Sequence, residues 1–280
     1  MRHLDGVALR PRSAIGALSS GDRYRDLEAY CMFIGYPRSG HSMVGSLLDA
    51  HPEVGLAHEL DALKFLERGY TRNQLFHLIL ANTRRTARRG RVQTGYSYEV
   101  PGQWQGRWSK LRVIGDKKGA RSTRRLDEHP ELLERLRETI DLPLRFIHVV
   151  RNPFDNIATI AKRDANGGLV DPADALAHAI RRYDALARAV GEFLDRVDPS
   201  EVWEGRHEDF IASPRERLRE LCAFLDLEAS EDYLDSCAGV LFGSPNASRR
   251  SAAWAPEQIE QVQRIIARHD FLEGYAYDVA

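Results

Sequence analysis

Lysine is scarce in this sequence. Of 40 basic residues only Lys64, Lys110, Lys117, Lys118 and Lys162 are lysines, so arginine carries nearly all the positive charge and the adjacent pair at 117–118 stands out. Cysteine is scarce too. Cys31, Cys222 and Cys237 are odd in number and far apart, with neither a CxxC nor a zinc-type spacing. That excludes a disulfide framework, predicts no metal site and points to a reducing compartment. No apolar run reaches the roughly 18 residues a membrane-spanning helix needs, and the N-terminus lacks the apolar core of a signal peptide. The expectation is a cytoplasmic protein with no membrane insertion. A net charge of −1 offers no basic surplus and argues against a dedicated nucleic-acid binder.

What is present fits one large domain. A chain of 280 residues, 43% hydrophobic and 29% charged, can build a single α/β core with helical insertions. Its organising stretch is Cys31 to Gly55, CMFIGYPRSGHSMVGSLLDAHPEVG. A short apolar run (Met32, Phe33, Ile34) leads into a turn from Gly35 to Gly40. Met43, Val44, Leu47 and Leu48 then recur at helical spacing until His51-Pro52 stops them. A strand feeding a glycine-bearing loop that opens a helix makes an anion site, because loop N–H groups and the helix N-terminus converge there.

Along the rest of the chain, residues 1–25 mix Arg, Ser, Gly and Pro without period and read as a partly disordered lead-in. Leu60, Leu63 and Leu66 suggest a helix face beginning near Gly55, and residues 71–91 a second helix running into Arg84, Arg85, Arg88, Arg89 and Arg91. That arginine cluster reads as a solvated helix face or, alternatively, as a surface that meets an acidic acceptor. Residues 93–109 carry Tyr96, Tyr98, Trp104 and Trp108 among glycines and read as a loop or lid, aromatic enough to line an acceptor pocket. Strands are expected near 31–35, 111–115, 144–150 and 201–204. Helices are expected at 127–140, 153–162, 172–194, 214–225 (with Ser213 as N-cap), 230–240 and 256–268. The alternation predicts an α/β fold of three layers around a central parallel sheet, one domain over 26–280 with a helical, lid-like insertion at about 61–109. Ligands of such sheets bind beyond the carboxyl ends of the strands, where the motifs fall.

Gly35-Tyr-Pro-Arg-Ser-Gly40-His-Ser42 has the GxxxxG-x-S frame of a nucleotide-binding P-loop, with His41 where that motif needs lysine. Losing the lysine while gaining Arg38, a planar charged fork, weakens a nucleoside-triphosphate reading. A P-loop-type kinase or phosphotransferase is the alternative.

PRSGHS followed by LLDAHPEV resembles the 5′-phosphosulfate loop of the sulfotransferases that use 3′-phosphoadenosine-5′-phosphosulfate (PAPS), here most like the bacterial type. A second signature of that family, a strand ending in RNPxDxxxS, resembles His148-Val-Val-Arg151-Asn-Pro-Phe-Asp-Asn-Ile-Ala-Thr159. The resemblance implies the P-loop-NTPase-like sulfotransferase architecture, with PAPS as donor, adenosine 3′,5′-bisphosphate as product and no metal. It assigns Pro37, Arg38, Ser39, Gly40, His41 and Ser42 to the 5′ end of the donor, and Arg151, Thr159 and Arg163 to its 3′-phosphate. His207, in His207-Glu-Asp-Phe, falls where the family carries a tyrosine against the adenine. Arg249 and Arg250 fall in a basic loop over the 3′-phosphate, followed by Trp254. His41 departs from the family's usual threonine.

Sulfuryl transfer resembles phosphoryl transfer, a loose in-line displacement in which positioning and donors aimed at peripheral oxygens do most of the catalysis. Glu59 stands where bacterial and Golgi-type relatives carry a catalytic glutamate and is the favoured general base, with His58 as competitor. Lys117 of GDKKG resembles the lysine that touches the transferring group, and Arg38 completes the catalytic set. The acceptor is expected to be a hydroxyl, less readily an amine, of a small molecule or glycan.

Overall fold

A computed structural model describes residues 24–93, 96–241 and 243–278. Nearly all of the expected lead-in therefore lies outside the described residues. A five-stranded sheet runs through the centre: β1 (Ala29–Ile34), β2 (Val54–His58), β5 (Val113–Lys117), β6 (Leu144–Val150) and β7 (Val202–Arg206). Its order is β2-β5-β1-β6-β7, and every neighbouring pair is parallel. A small antiparallel pair, β3 (Val92–Gln93) and β4 (Tyr96–Ser97), stands apart from it.

Period-two alternation feeds two cores. Tyr30, Met32 and Ile34 of β1 join Ile114 and Phe146 on one face. There they meet α2 (Ala62–Glu67), α3 (Arg72–Ala87), α4 (Ala120–Glu128) and α5 (Leu132–Ile140). Cys31 and Phe33 join Val113, Ile147 and Val149 on the other face. That face is covered by α1 (His41–Leu48), α8 (His207–Ala212), α9 (Pro214–Phe224) and α10 (Glu231–Ala238). A third cluster at the carboxyl end of the sheet packs α6 (Pro153–Asn166), α7 (Ala175–Leu194) and α11 (Pro256–Ile266) around Tyr36 and Val150. Burial on both faces is why these strands read as continuous apolar runs.

Three expectations change. The helix expected to begin near Gly55 is first an edge strand, since Val54 to His58 pair with Val113 to Lys117 and the helix starts only at Ala62. The helix expected at 127–140 is two, broken at His129, which precedes Pro130 and is driven out of the α region (φ −137°, ψ 74°). Ser213 does not cap α9 with its side chain. The arginine cluster also divides. Arg91 is buried on Asp49, Arg84 lies 4.6 Å over the Trp108 ring, and Arg85, Arg88 and Arg89 remain exposed.

Candidate active site

All five strands deliver a candidate residue at one edge of the sheet. β1 opens the glycine loop, β2 ends at His58-Glu59, β5 at Lys117, β6 at Arg151 and β7 at His207. The loop is pinned from below. The Gly35 N–H donates to Thr123 Oγ1 of α4 at 2.8 Å, and Ser39, fully buried, donates to the Tyr36 carbonyl at 3.1 Å. Arg38 sits in the left-handed region at φ 71°, uncommon for a side chain of that size. Gly40, the N-cap of α1 at φ 101°, has the His207 ring against it; a Cβ there would lie 2.4 Å from His207 Nδ1. Among the described residues the N–H groups of Arg38, Ser39, Gly40, His41 and Ser42 donate to no protein acceptor. Five unspent donors in a row make an anion cradle.

His41 faces inward. Its imidazole is buried edge-on to Phe33 at 5.5 Å, between Gly35 and Gly119, where a Cβ would lie 2.3 Å from His41 Nδ1. Burial, and then Lys117, push its pKa down to about 3, so it is a neutral wedge under the loop.

The cation missing at position 41 comes instead from β5, beside Arg38 of the loop itself. Lys117 is buried, and its stem crosses α1 where Gly45 leaves room; a Cβ at Gly45 would lie 2.8 Å from Lys117 Cγ. Its Nζ donates to Ser42 Oγ at 3.1 Å and to Glu59 Oε1 at 2.6 Å. Lys118 holds the other oxygen of Glu59. Burial pushes the Glu59 carboxyl up, but Lys117 and then Lys118 outweigh it and draw the pKa to about 2. Glu59 itself is left-handed (φ 56°), as is Asp61 (φ 65°). Asp116 holds this turn, accepting from Leu60 N at 3.1 Å and Ala62 N at 2.8 Å, and burial raises its pKa to about 7. His58 pairs in register with Lys117, and burial followed by that lysine lowers its pKa to about 3.

Arg151, at the end of β6, is the opposite case. It is 7% exposed, yet among the described residues no carboxylate reaches ion-pair distance of it. Its Nη1 donates to the Arg38 carbonyl at 3.2 Å and to Thr159 Oγ1 at 3.4 Å, and its Nη2 to the Asn246 carbonyl and to Ser248 Oγ at 3.4 Å. Thr159 and Ser248 are themselves 3.0 Å apart. Burial lowers its pKa most; Asp155 and Glu208 act against that, and Arg38 and Arg249 add to it. Arg38 likewise has its pKa lowered by burial and then by Arg163, with Tyr98 and Tyr96 on the stabilising side. Burial, then Arg151, lower His207 to about 3. The positive charges of Arg38, Arg151 and Arg163 thus act on one another here.

Some expected contacts go elsewhere. Arg249 is buried on Asp155 and donates through Nε to the Tyr277 carbonyl at 2.7 Å, so its neighbour Ser248 is the residue that reaches Arg151. Arg163 and Arg250 are exposed. Tyr96 and Tyr98 lie near Arg38, whereas Trp108 packs beneath Arg84 and Trp104 beneath Arg107 at 5.2 Å. Sequence reasoning missed Ser248, Thr123 and Asp116. Only Ser248 left a signal, standing beside the arginine pair.

A family model described as "Sulfotransferase family" matches residues 32–232, well over half the chain. No curated protein matches the sequence. Among solved structures, the sulfotransferase domain of the curacin biosynthetic pathway aligns with a TM-score of 0.58 at 16% identity, covering 86% of this chain and 97% of its own. The sulfotransferase domain of the Synechococcus PCC 7002 olefin synthase gives 0.52 at 18% identity, covering 91% and 97%. A sulfotransferase of Mycobacterium avium gives 0.53 at 12% identity, covering 94% and 81%. At such identities these likenesses speak for the fold.

Proposed function

The chain belongs to the sulfotransferase family, and from that premise we propose that it moves a sulfuryl group from PAPS to a hydroxyl of a small-molecule or glycan acceptor. The observation that carries the donor assignment is Arg151, a buried cation met only by carbonyls and hydroxyls, set beside a loop with five unspent N–H donors. A buried charge without a counter-charge is costly until a ligand supplies one. PAPS has two separate anionic ends, and two cradles lie side by side.

PAPS supplies the activated sulfuryl group. The loop from Pro37 to Ser42 holds the 5′ end, while Arg151, Thr159 and Ser248 hold the 3′-phosphate. His207 contacts the base, and Arg38, Arg163 and Arg250 add positive charge around it. Lys117 stabilises charge on the transferring group, and Glu59 accepts the proton of the acceptor hydroxyl.

A carboxyl drawn to about 2 is a weak base at rest. An anion on the loop competes with Glu59 for Lys117, which already bridges Glu59 and Ser42. As Lys117 turns to that anion, Glu59 keeps only Lys118 and its proton affinity rises. The base is thereby activated when the donor is in place.

Calorimetry with adenosine 3′,5′-bisphosphate in the absence of metal, against Mg-ADP, tests the donor assignment. Tight binding of the bisphosphate is expected; binding of Mg-ADP alone sinks it.

A further inference from the structure

Helices α4 and α7 pack beside each other, and a cleft of about 500 Å3 between them is lined by Arg124, His178, Arg181 and Arg182. Asp164 meets Arg182 at 2.9 Å, but among the described residues no carboxylate comes within ion-pair distance of Arg124 or Arg181. The Arg124 Nε is buried without a hydrogen-bond partner. Burial, and then the like charges of Arg182 and Arg121, disfavour its guanidinium, with Glu128 as the smaller opposing charge. A concave wall of arginines concentrates positive potential, and the guanidinium fork matches a planar or tetrahedral oxyanion.

The cleft's walls are the helices that hold the glycine loop. Thr123, next to Arg124, takes the Gly35 N–H at 2.8 Å. Tyr183, next to Arg182, stacks on Tyr36 of the loop with ring centroids 4.5 Å apart. The donor's two anionic ends already have their cradles in the loop and around Arg151, and none of the cleft's four residues belongs to either. An oxyanion held between these same two helices is therefore neither end of the donor.

We propose that the cleft between α4 and α7 is an oxyanion subsite that receives a carboxylate, sulfate or phosphate group carried by the acceptor, which makes the acceptor an anionic hydroxy compound. The assignment to the acceptor rests on the sulfotransferase reading above; the anion site itself does not.

The test uses the full chain saturated with adenosine 3′,5′-bisphosphate and titrated with inorganic sulfate, 4-hydroxybenzoate and glucuronate, with chloride at matched ionic strength as blank. The two hydroxy acids should bind saturably, and Arg124→Gln with Arg181→Gln should weaken them about tenfold or more. Arg264→Gln, on an exposed turn of α11, should leave them unchanged. Arg181→Gln alone, also at an exposed position, should weaken them in the same direction by less. Binding that is equal in the double variant and the native chain overturns the site. Binding of inorganic sulfate with neither hydroxy acid bound overturns the acceptor assignment and leaves a free-ion site. Bisphosphate affinity is measured separately; its absence would remove the donor reading, while the anion titration of the ligand-free chain still decides the cleft.

Discussion

The two halves of the site treat charge in opposite ways. On the β2–β5 side every cation has a counter-charge at hand, since Lys117 and Lys118 share Glu59. On the β6 side Arg151 is as buried as Lys117 in all but a few per cent of its surface, yet rests on two carbonyls and two hydroxyls. Paired charges are complete without ligand and can exchange partners during a reaction. An unpaired buried cation is complete only with one. The first arrangement suits chemistry and the second suits holding.

Variants that break this contrast rank by expected effect. Glu59→Gln removes the proton acceptor but keeps its shape; turnover should fall by about 10²–10⁴ while bisphosphate affinity, read by calorimetry, is retained. Lost affinity with unchanged turnover would move Glu59 to the holding half. Arg151→Ala should weaken the bisphosphate by about 1.5–3 kcal/mol, tenfold to over a hundredfold. Because it deletes a buried charge with no carboxylate at ion-pair distance, relief of that charge should offset the four lost hydrogen bonds and the melting temperature of the ligand-free protein should change little; a marked drop would mean that Arg151 is part of the fold's own support. Lys118→Ala frees one oxygen of Glu59 at a half-exposed position, so turnover should change only by about two- to fivefold. The acid limb of its pH profile should move upward, because Lys118 helps hold the Glu59 carboxyl near 2.

The smallest effect concerns Asp116, a positioning residue for the Glu59 turn. Its folded pKa of about 7 lies above the ordinary 3.8, so its stabilising contribution is whole below pH 3.8 and fades as pH rises through about 7. Asp116→Asn keeps one acceptor oxygen and does not titrate. Melting curves of the two proteins should part by a few degrees between pH 5 and pH 8, the native chain losing stability with rising pH and the variant not. Parallel curves would show that Asp116 stays charged throughout.

The parallel sheet, and the two strand-to-helix loops that carry the candidate anion sites, were legible in the sequence because each combines a strand run with a short, position-specific turn. The Val54–His58 strand was not. Leu60, Leu63 and Leu66 carry a genuine helical period, but the helix starts only at Ala62, and Asp116 from another strand fixes that start through Leu60 N and Ala62 N. A boundary set by a side chain 54 residues away leaves no local trace. Lys117 stood out only through its GDKKG motif, and its burial against Gly45 has no trace in the local sequence. Arg249 and Ser248 show the limit of spacing: both stand in the expected basic loop, but Asp155 takes the arginine and leaves the serine for the site.

The lysine's place on β5 has one more consequence. In a loop that carries its own cation, the charge travels with the loop and constrains its sequence. Here the cation is anchored to a strand flanked by β1 on one side and β2 on the other. Beside Arg38 in the loop itself, this second charge is held by the sheet, so position 41 is released from electrostatic duty and free to serve as a spacer. The 3.1 Å from Lys117 Nζ to Ser42 Oγ is where the strand-borne charge meets the first turn of the helix that the loop opens.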